Sequence, residues 1–208
     1  SVDAVLKAGY ALLPTFADIF NLNNEANSEL IWTLPYIVNE NVTPGTSPNF
    51  FAYYLAPNGD RTRLREAGYT EDEVPAGSHA QYVVPTQAYC DFLAEDARDT
   101  RTDVSVRVFE DKFLTEEVQI KRMVVKFKGS FANDTRSFDS DVPVYRLAEA
   151  YLLKAEVENA LGNTDAALQN LNVVAKRAYG VDNYYTARTQ DAIANAIISE
   201  ILKEFVAE

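Results

Sequence analysis

The reactive side chains in this sequence are too few and too scattered to assemble a familiar catalytic group. Cys90 is the single cysteine, so an intrachain disulfide is impossible, and it follows Gln87-Ala88-Tyr89 deep in the chain. A thiol nucleophile wants a histidine and an acid to orient it, yet the sole histidine, His79, lies in a Gly-Ser-His-Ala loop. One Cys and one His also fall short of a structural zinc site. Cys90 therefore reads as a small buried or half-buried thiol. Glu149 and Glu156 are two helical turns apart, and capping or ion pairing with Arg146 or Arg177 suits them better than acid–base work. The acidic stretches Glu71-Asp72-Glu73 and Asp134 to Asp141 read as solvated loops. No catalytic residue, metal ligand or cofactor is assigned. The remaining chemistry is aromatic: Trp32, and the run Phe50-Phe51-Ala52-Tyr53-Tyr54.

These residues sit on elements that change character along the chain. A short helix or turn is expected around Val2 to Ala11, then a polar loop over Asn21 to Ser28. Leu30-Ile31-Trp32-Thr33-Leu34 is β-rich and stopped by Pro35. From Asn39 to Gly77 the sequence is loop-rich, with Pro57-Asn58-Gly59-Asp60 as a tight-turn signal. A helix is predicted over Thr86 to Ala97. Two period-two runs, around Val104 to Val108 and over Val118 to Lys128, then predict an antiparallel hairpin. Gly129 to Asp141 reads as polar loop.

The rest is helical. Tyr145 to Arg177 reads as a helix–turn–helix of tetratricopeptide type, with Ala155 and Ala167 small so that the two helices approach closely. Gly162 supplies the turn, and a third helix spans Asp191 to Ala207. One such repeat cannot bury its face alone; about three are usually needed. The fold class is thus mainly α with a small antiparallel β part. It is read as one domain over 1–208, with a loop- and strand-rich region over 1–140 and a helical region over 141–208.

Composition narrows the functions. Of the 208 residues 47% are hydrophobic and 24% charged, an ordinary globular balance. The net charge of −12 repels polyanions, so nucleic acid is not an expected partner. The densest basic stretch, Lys121 to Lys128, alternates with apolar residues and reads as the polar face of a strand. No apolar run reaches the ~18 residues of a membrane-spanning helix. Ser1-Val2-Asp3 leads straight into Ala4-Val5-Leu6, as a chain cut from mid-protein would, without a signal peptide.

Asp141-Val142-Pro143-Val144-Tyr145-Arg146-Leu147-Ala148-Glu149-Ala150-Tyr151-Leu152-Leu153-Lys154-Ala155-Glu156 resembles the signature block of the SusD/RagB family. The match continues through Gly162, Ala167-Leu168 and Leu171-Asn172 to Arg177-Ala178. Glu200, Glu204, Phe205 and Glu208 resemble the family's next landmark, Glu-Arg-x-x-Glu-Leu-x-x-Glu-Gly. Upstream, Asn27-Ser28-Glu29-Leu30-Ile31-Trp32 resembles its Ser-Glu-(Ile/Val)-Ile strand, and Pro85 to Arg98 resembles its helix before an Asp-x-Arg. Ala175 and Ile201 stand where the family commonly has Arg, so a structural ion pair is expected to be lost.

The resemblance implies a non-catalytic nutrient-binding protein, lipid-anchored on the outer face of the outer membrane through an anchor absent from this chain. Such proteins lid a TonB-dependent, SusC-like transporter and capture glycans or, in some members, peptides. Aromatic rings cover the apolar faces of pyranoses, and polar side chains bond their hydroxyls. On that chemistry the candidate ligand residues are Trp32, Asn49, Phe50, Phe51, Tyr53, Tyr54 and Asn58. The competing reading makes these aromatics core and strand residues. Neighbours in a strand point to opposite faces, and Trp32 within an apolar run is by default a core residue. Two rivals remain. A tetratricopeptide adaptor would show further repeats and little loop, and a carbohydrate-active enzyme would need two convergent carboxylates.

Overall fold

Small and large apolar residues recurring every three or four positions place the longest helices in the last third of the chain. The computed structural model describes residues 1–40, 42, 65, 68–70, 73, 83–111 and 119–208. Within them the protein is mostly helical, with small two-stranded antiparallel sheets. Helix α1 is Val2–Leu6, α2 Gln87–Leu93, α3 Thr102–Ser105, α4 Leu147–Ala160, α5 Thr164–Tyr179 and α6 Gln190–Glu204. Strands are β1 Leu30–Leu34, β2 Val106–Asp111, β3 Gln119–Val124, β4 Ser130–Ala132, β5 Thr135–Ser137 and β6 Val142–Arg146.

Helices α4 and α5 form the expected hairpin. Ala155 and Ala167 are fully buried, which lets the axes close, and Leu152, Leu168, Leu171 and Val174 fill the space around them. Gly162 turns the chain at φ +79°, a left-handed conformation that side chains resist. Gly180, at φ +67°, ends α5 and donates its N–H to the Lys176 carbonyl. Thr189 caps α6 by accepting from the Ala192 N–H. Ile193 and Ile197 of α6 close this core.

The hairpin begins later than the sequence predicts. Tyr145 and Arg146 end strand β6, which pairs antiparallel with β1, Trp32 opposite Tyr145 and Leu34 opposite Val142. The β-branched residues flanking Pro143 favour extended backbone, so the helix starts at Leu147.

Strands β2 and β3 form the predicted antiparallel pair, Val106 opposite Val124 through Asp111 opposite Gln119. The segment read as polar loop over 129–141 contains a further hairpin, β4–β5, turned by Asn133 and Asp134 at φ +51° and +58°. Two left-handed residues make the turn whose twist suits a hairpin. A Cβ on Gly129 would lie 2.0 Å from the Ser137 carbonyl oxygen, so only glycine fits there. A second core joins Cys90, Leu93, Val106, Val124, Phe127, Phe138 and Val206. Cys90 is free and buried, and burial pushes its thiol up. His79 lies outside the described residues. Among the described residues no helix is long and apolar enough to cross a membrane.

Candidate functional site

The sequence landmarks converge on one buried ionic seam. Glu29, just ahead of β1, reaches Arg146 at 3.0 Å and Arg177 of α5 at 2.6 Å. Arg146 also binds Glu204 at 2.9 Å and Glu208 at 2.6 Å, and Arg177 binds Glu204 as well. Arg101 continues the seam through Asp99 and Glu200, both at 2.7 Å, and Glu204 at 3.3 Å. The Tyr179 and Tyr185 hydroxyls complete Glu200 at 3.0 and 2.8 Å. The three arginines, Glu29, Glu200 and Glu204 are buried.

Electrostatics keep these groups charged. Burial alone penalises Arg146, but Glu208, Glu204 and Glu29 outweigh it and strengthen its hold on the proton. The same contest lowers Glu204: burial opposes its charge, and Arg177, Arg146 and Arg101 win. Every seam carboxylate is engaged by a cation or a tyrosine hydroxyl, so the geometry is that of a framework joint rather than an acid–base pair.

Three expectations change here. Glu149 and Glu156 do not pair with Arg146 or Arg177, because Glu29, Glu204 and Glu208 reach those guanidiniums across the fold. Glu156 is exposed, and Glu149 lines a cleft with Ile201. Lys126 leaves the polar strand face assigned to it. It is buried over the rings of Phe16 and Phe20, with its ammonium 2.5 Å from Glu208 and 3.0 Å from the Glu204 carbonyl. Burial lowers it to about 8, against the pull of Glu208. The acidic loop is only partly solvated. Asp139 accepts the Ser130 N–H, and Asp141 accepts the Tyr36 N–H at 2.9 Å.

The outward face of β1–β6 is different in kind. Trp32 is 54% exposed and Tyr145 51%, with ring centroids 6.0 Å apart and planes tilted by 33°. Leu34 extends the face two residues along the strand. Trp32 is therefore a surface residue, against the core default for a tryptophan in an apolar run, while its strand neighbours Ile31 and Thr33 are half-buried. Asn49, Phe50, Phe51, Tyr53, Tyr54 and Asn58 lie outside the described residues. Tyr145 was missed because it was read as the start of a helix. Reading Val142 to Arg146 with a period of two would have turned Tyr145 away from Arg146 and towards the surface.

Residues 110–208 match the SusD family model. A SusD-like protein of Formosa agariphila is 28% identical over the whole of this chain, which spans 43% of that relative's length. The solved structure of a SusD superfamily protein from Bacteroides fragilis is similar over the whole chain with a TM-score of 0.76 at 26% identity, the chain covering 44% of it. The surface glycan-binding protein A from Bacteroides uniformis is similar in fold over the whole chain, with a TM-score of 0.66 at 22% identity and 41% of its own length covered. Its landmarks thus gather in one seam, its last 99 residues match the SusD family model, and its whole length is similar in fold to solved SusD superfamily structures.

Proposed function

We propose that this protein is a non-catalytic capture module that binds glycan and passes it to a TonB-dependent, SusC-like transporter at the outer face of the outer membrane. The observation that carries the reading is the Trp32–Tyr145 pair, two large rings left side by side and half in water on the paired strands β1 and β6. Exposed neighbouring rings suit the C–H faces of successive sugar units, and such contacts need no reacting group. Support also comes from the family and from the glycan-binding relative of like fold. In this reading 1–208 act as one unit. Residues 1–140 carry most of the ligand side, with Asn49, Phe50, Phe51, Tyr53, Tyr54 and Asn58 as further candidates, and 141–208 hold it in place while adding Tyr145. A lipid anchor outside this chain would tether it.

Trp32 is the chain's only tryptophan, so its emission reports directly on its own surroundings. Titration with a panel of soluble glycans should shift that emission, and gels containing the same glycans should retard the protein. Trp32→Ala should run freely. Reducing ends should stay constant over hours. Turnover, or full retardation of Trp32→Ala, would remove the proposal.

A further inference from the structure

Three half-buried carboxylates meet where β1 ends and β6 begins, and each holds a backbone N–H. Glu25 accepts from Asp141 at 2.9 Å, Asp141 from Tyr36 at 2.9 Å, and Asp139 from Ser130 at 2.6 Å. Asp141 also takes the Thr33 hydroxyl at 3.4 Å, and Asp139 the Ser130 hydroxyl at 2.8 Å. Unlike the seam, this cluster has no counter-ion: among the described residues no lysine or arginine pairs with any of the three. Lys126 and Arg146 reach the Phe20 ring that lines the same crevice, but Glu29, Glu204 and Glu208 take up their charges.

Like charges set together without a cation favour keeping one proton among them. Glu25 is the member placed to keep it. It accepts one hydrogen bond where each aspartate accepts two, and it faces Ile19, Phe20, Leu30 and Phe127. Burial raises its carboxyl to about 7, with Asp141 and Asp139 adding to the rise and the Asp141 N–H opposing it.

The cluster closes one end of the ring-bearing strands. Asp141 leads into Val142, the partner of Leu34, and its carboxylate holds β1 at Thr33 and Tyr36, on either side of that pair. Trp32 is the residue before Thr33, and Tyr145 stands opposite it.

We propose, on the glycan-binding reading of the Trp32–Tyr145 pair, that Glu25, Asp139 and Asp141 form a proton-operated clasp on that platform. While Glu25 holds its proton, the strand ends are drawn together and the rings are set for a sugar chain. Once the proton leaves, repulsion among the three carboxylates loosens the clasp and weakens capture. Glycan binding and proton uptake are then linked, so affinity falls as pH rises through the titration of Glu25.

Calorimetric titration with the best-retarded member of the glycan panel, in two buffers of different ionisation enthalpy, tests the linkage. The Kd should rise about threefold or more from about pH 6 to about pH 8, with net proton uptake on binding between them. Glu25→Gln keeps an acceptor for the Asp141 N–H without the charge, and should bind equally across that range with no proton uptake. In the unliganded protein Trp32 emission should shift over the same range in the parent and stay flat in Glu25→Gln. Asp139→Asn removes one repelling charge and should move the midpoint of the shift to lower pH. A flat parent profile, a slope that survives Glu25→Gln, or an unmoved midpoint in Asp139→Asn would overturn the clasp. Should no glycan bind at any pH, the capture reading falls, and the emission titration of the free protein alone decides the clasp.

Discussion

Tyr145 and Arg146 are adjacent on β6 and meet opposite environments. The tyrosine ring is half in water beside Trp32, and the guanidinium is 1% exposed among Glu29, Glu204 and Glu208. One face of the β1–β6 pair thus leaves aromatics out, and the other takes charges in. Both reverse the ordinary distribution of residues, and both are informative for that reason. Charges buried with full pairing add little net stability over an apolar core, yet removing one partner is severe. Exposed rings add nothing to the core and are free to meet a ligand. The seam therefore holds the strand in register, and the register turns the rings outward.

The comparison is broken most strongly on its inner side. Arg146→Ala should cost about 3–5 kcal/mol, because three carboxylates lose a shared cation. Urea unfolding should show a lower midpoint with an unchanged slope. Tyr145→Ala, one residue away, should stay within about 0.5 kcal/mol of the parent in the same experiment. On the outer side, Trp32→Ala should weaken glycan binding by about tenfold or more, ~1.4 kcal/mol, while leaving the melting temperature in place. Calorimetric titration separates the two effects.

Ile201→Arg sharpens the contrast by extending the seam outward. It offers Glu149 a cation across the cleft and should raise stability by up to about 1 kcal/mol at neutral pH. The gain should fade in acid as Glu149 takes up a proton, at a higher pH than an ordinary glutamate would, since burial has raised its carboxyl. The two Asp-x-Arg forks give an unequal pair of effects. Asp96-Ala97-Arg98 and Asp99-Thr100-Arg101 make the same local bonds, but Arg98 lies at the surface and Arg101 in the seam. Arg98→Ala should cost no more than about 0.5 kcal/mol, whereas Arg101→Ala should resemble Arg146→Ala.

The smallest effect is a slope. Burial, with Asp141 and Asp139 near by, raises Glu25 from 4.5 to about 7, although the Asp141 N–H opposes the rise. The folded state then holds a proton that the unfolded state releases between those values, so this group's contribution is complete below 4.5 and is lost as pH rises through 7. Glu25→Gln should flatten that part of the stability–pH curve. An unchanged slope would place its origin elsewhere.

Much of the helical half was legible because its signals are local. Spacing of apolar residues, the small pair Ala155 and Ala167, and the left-handed Gly162 all act within a few turns. The β2–β3 pair was legible by alternation. Lys126 and the β4–β5 hairpin were not. A lysine in an alternating strand looks solvated until Phe16 and Phe20, over a hundred residues away, are folded onto it. The Asn133-Asp134 turn is a two-residue signal easily lost in a polar stretch. Of the candidate ligand residues, Trp32 was named from its chemistry alone, and its partner Tyr145 was hidden inside a block read as helix.

The order of residues by itself determined the longest helices, the fold class and the family resemblance, since each rests on patterns a few residues long. Only the tertiary structure decided which charges are buried together and which rings are left in water. Glu29 meets Arg146 and Arg177 across separations of 117 and 148 residues. Coulomb pairing at that distance in sequence depends on where the whole chain returns, and no local pattern encodes it.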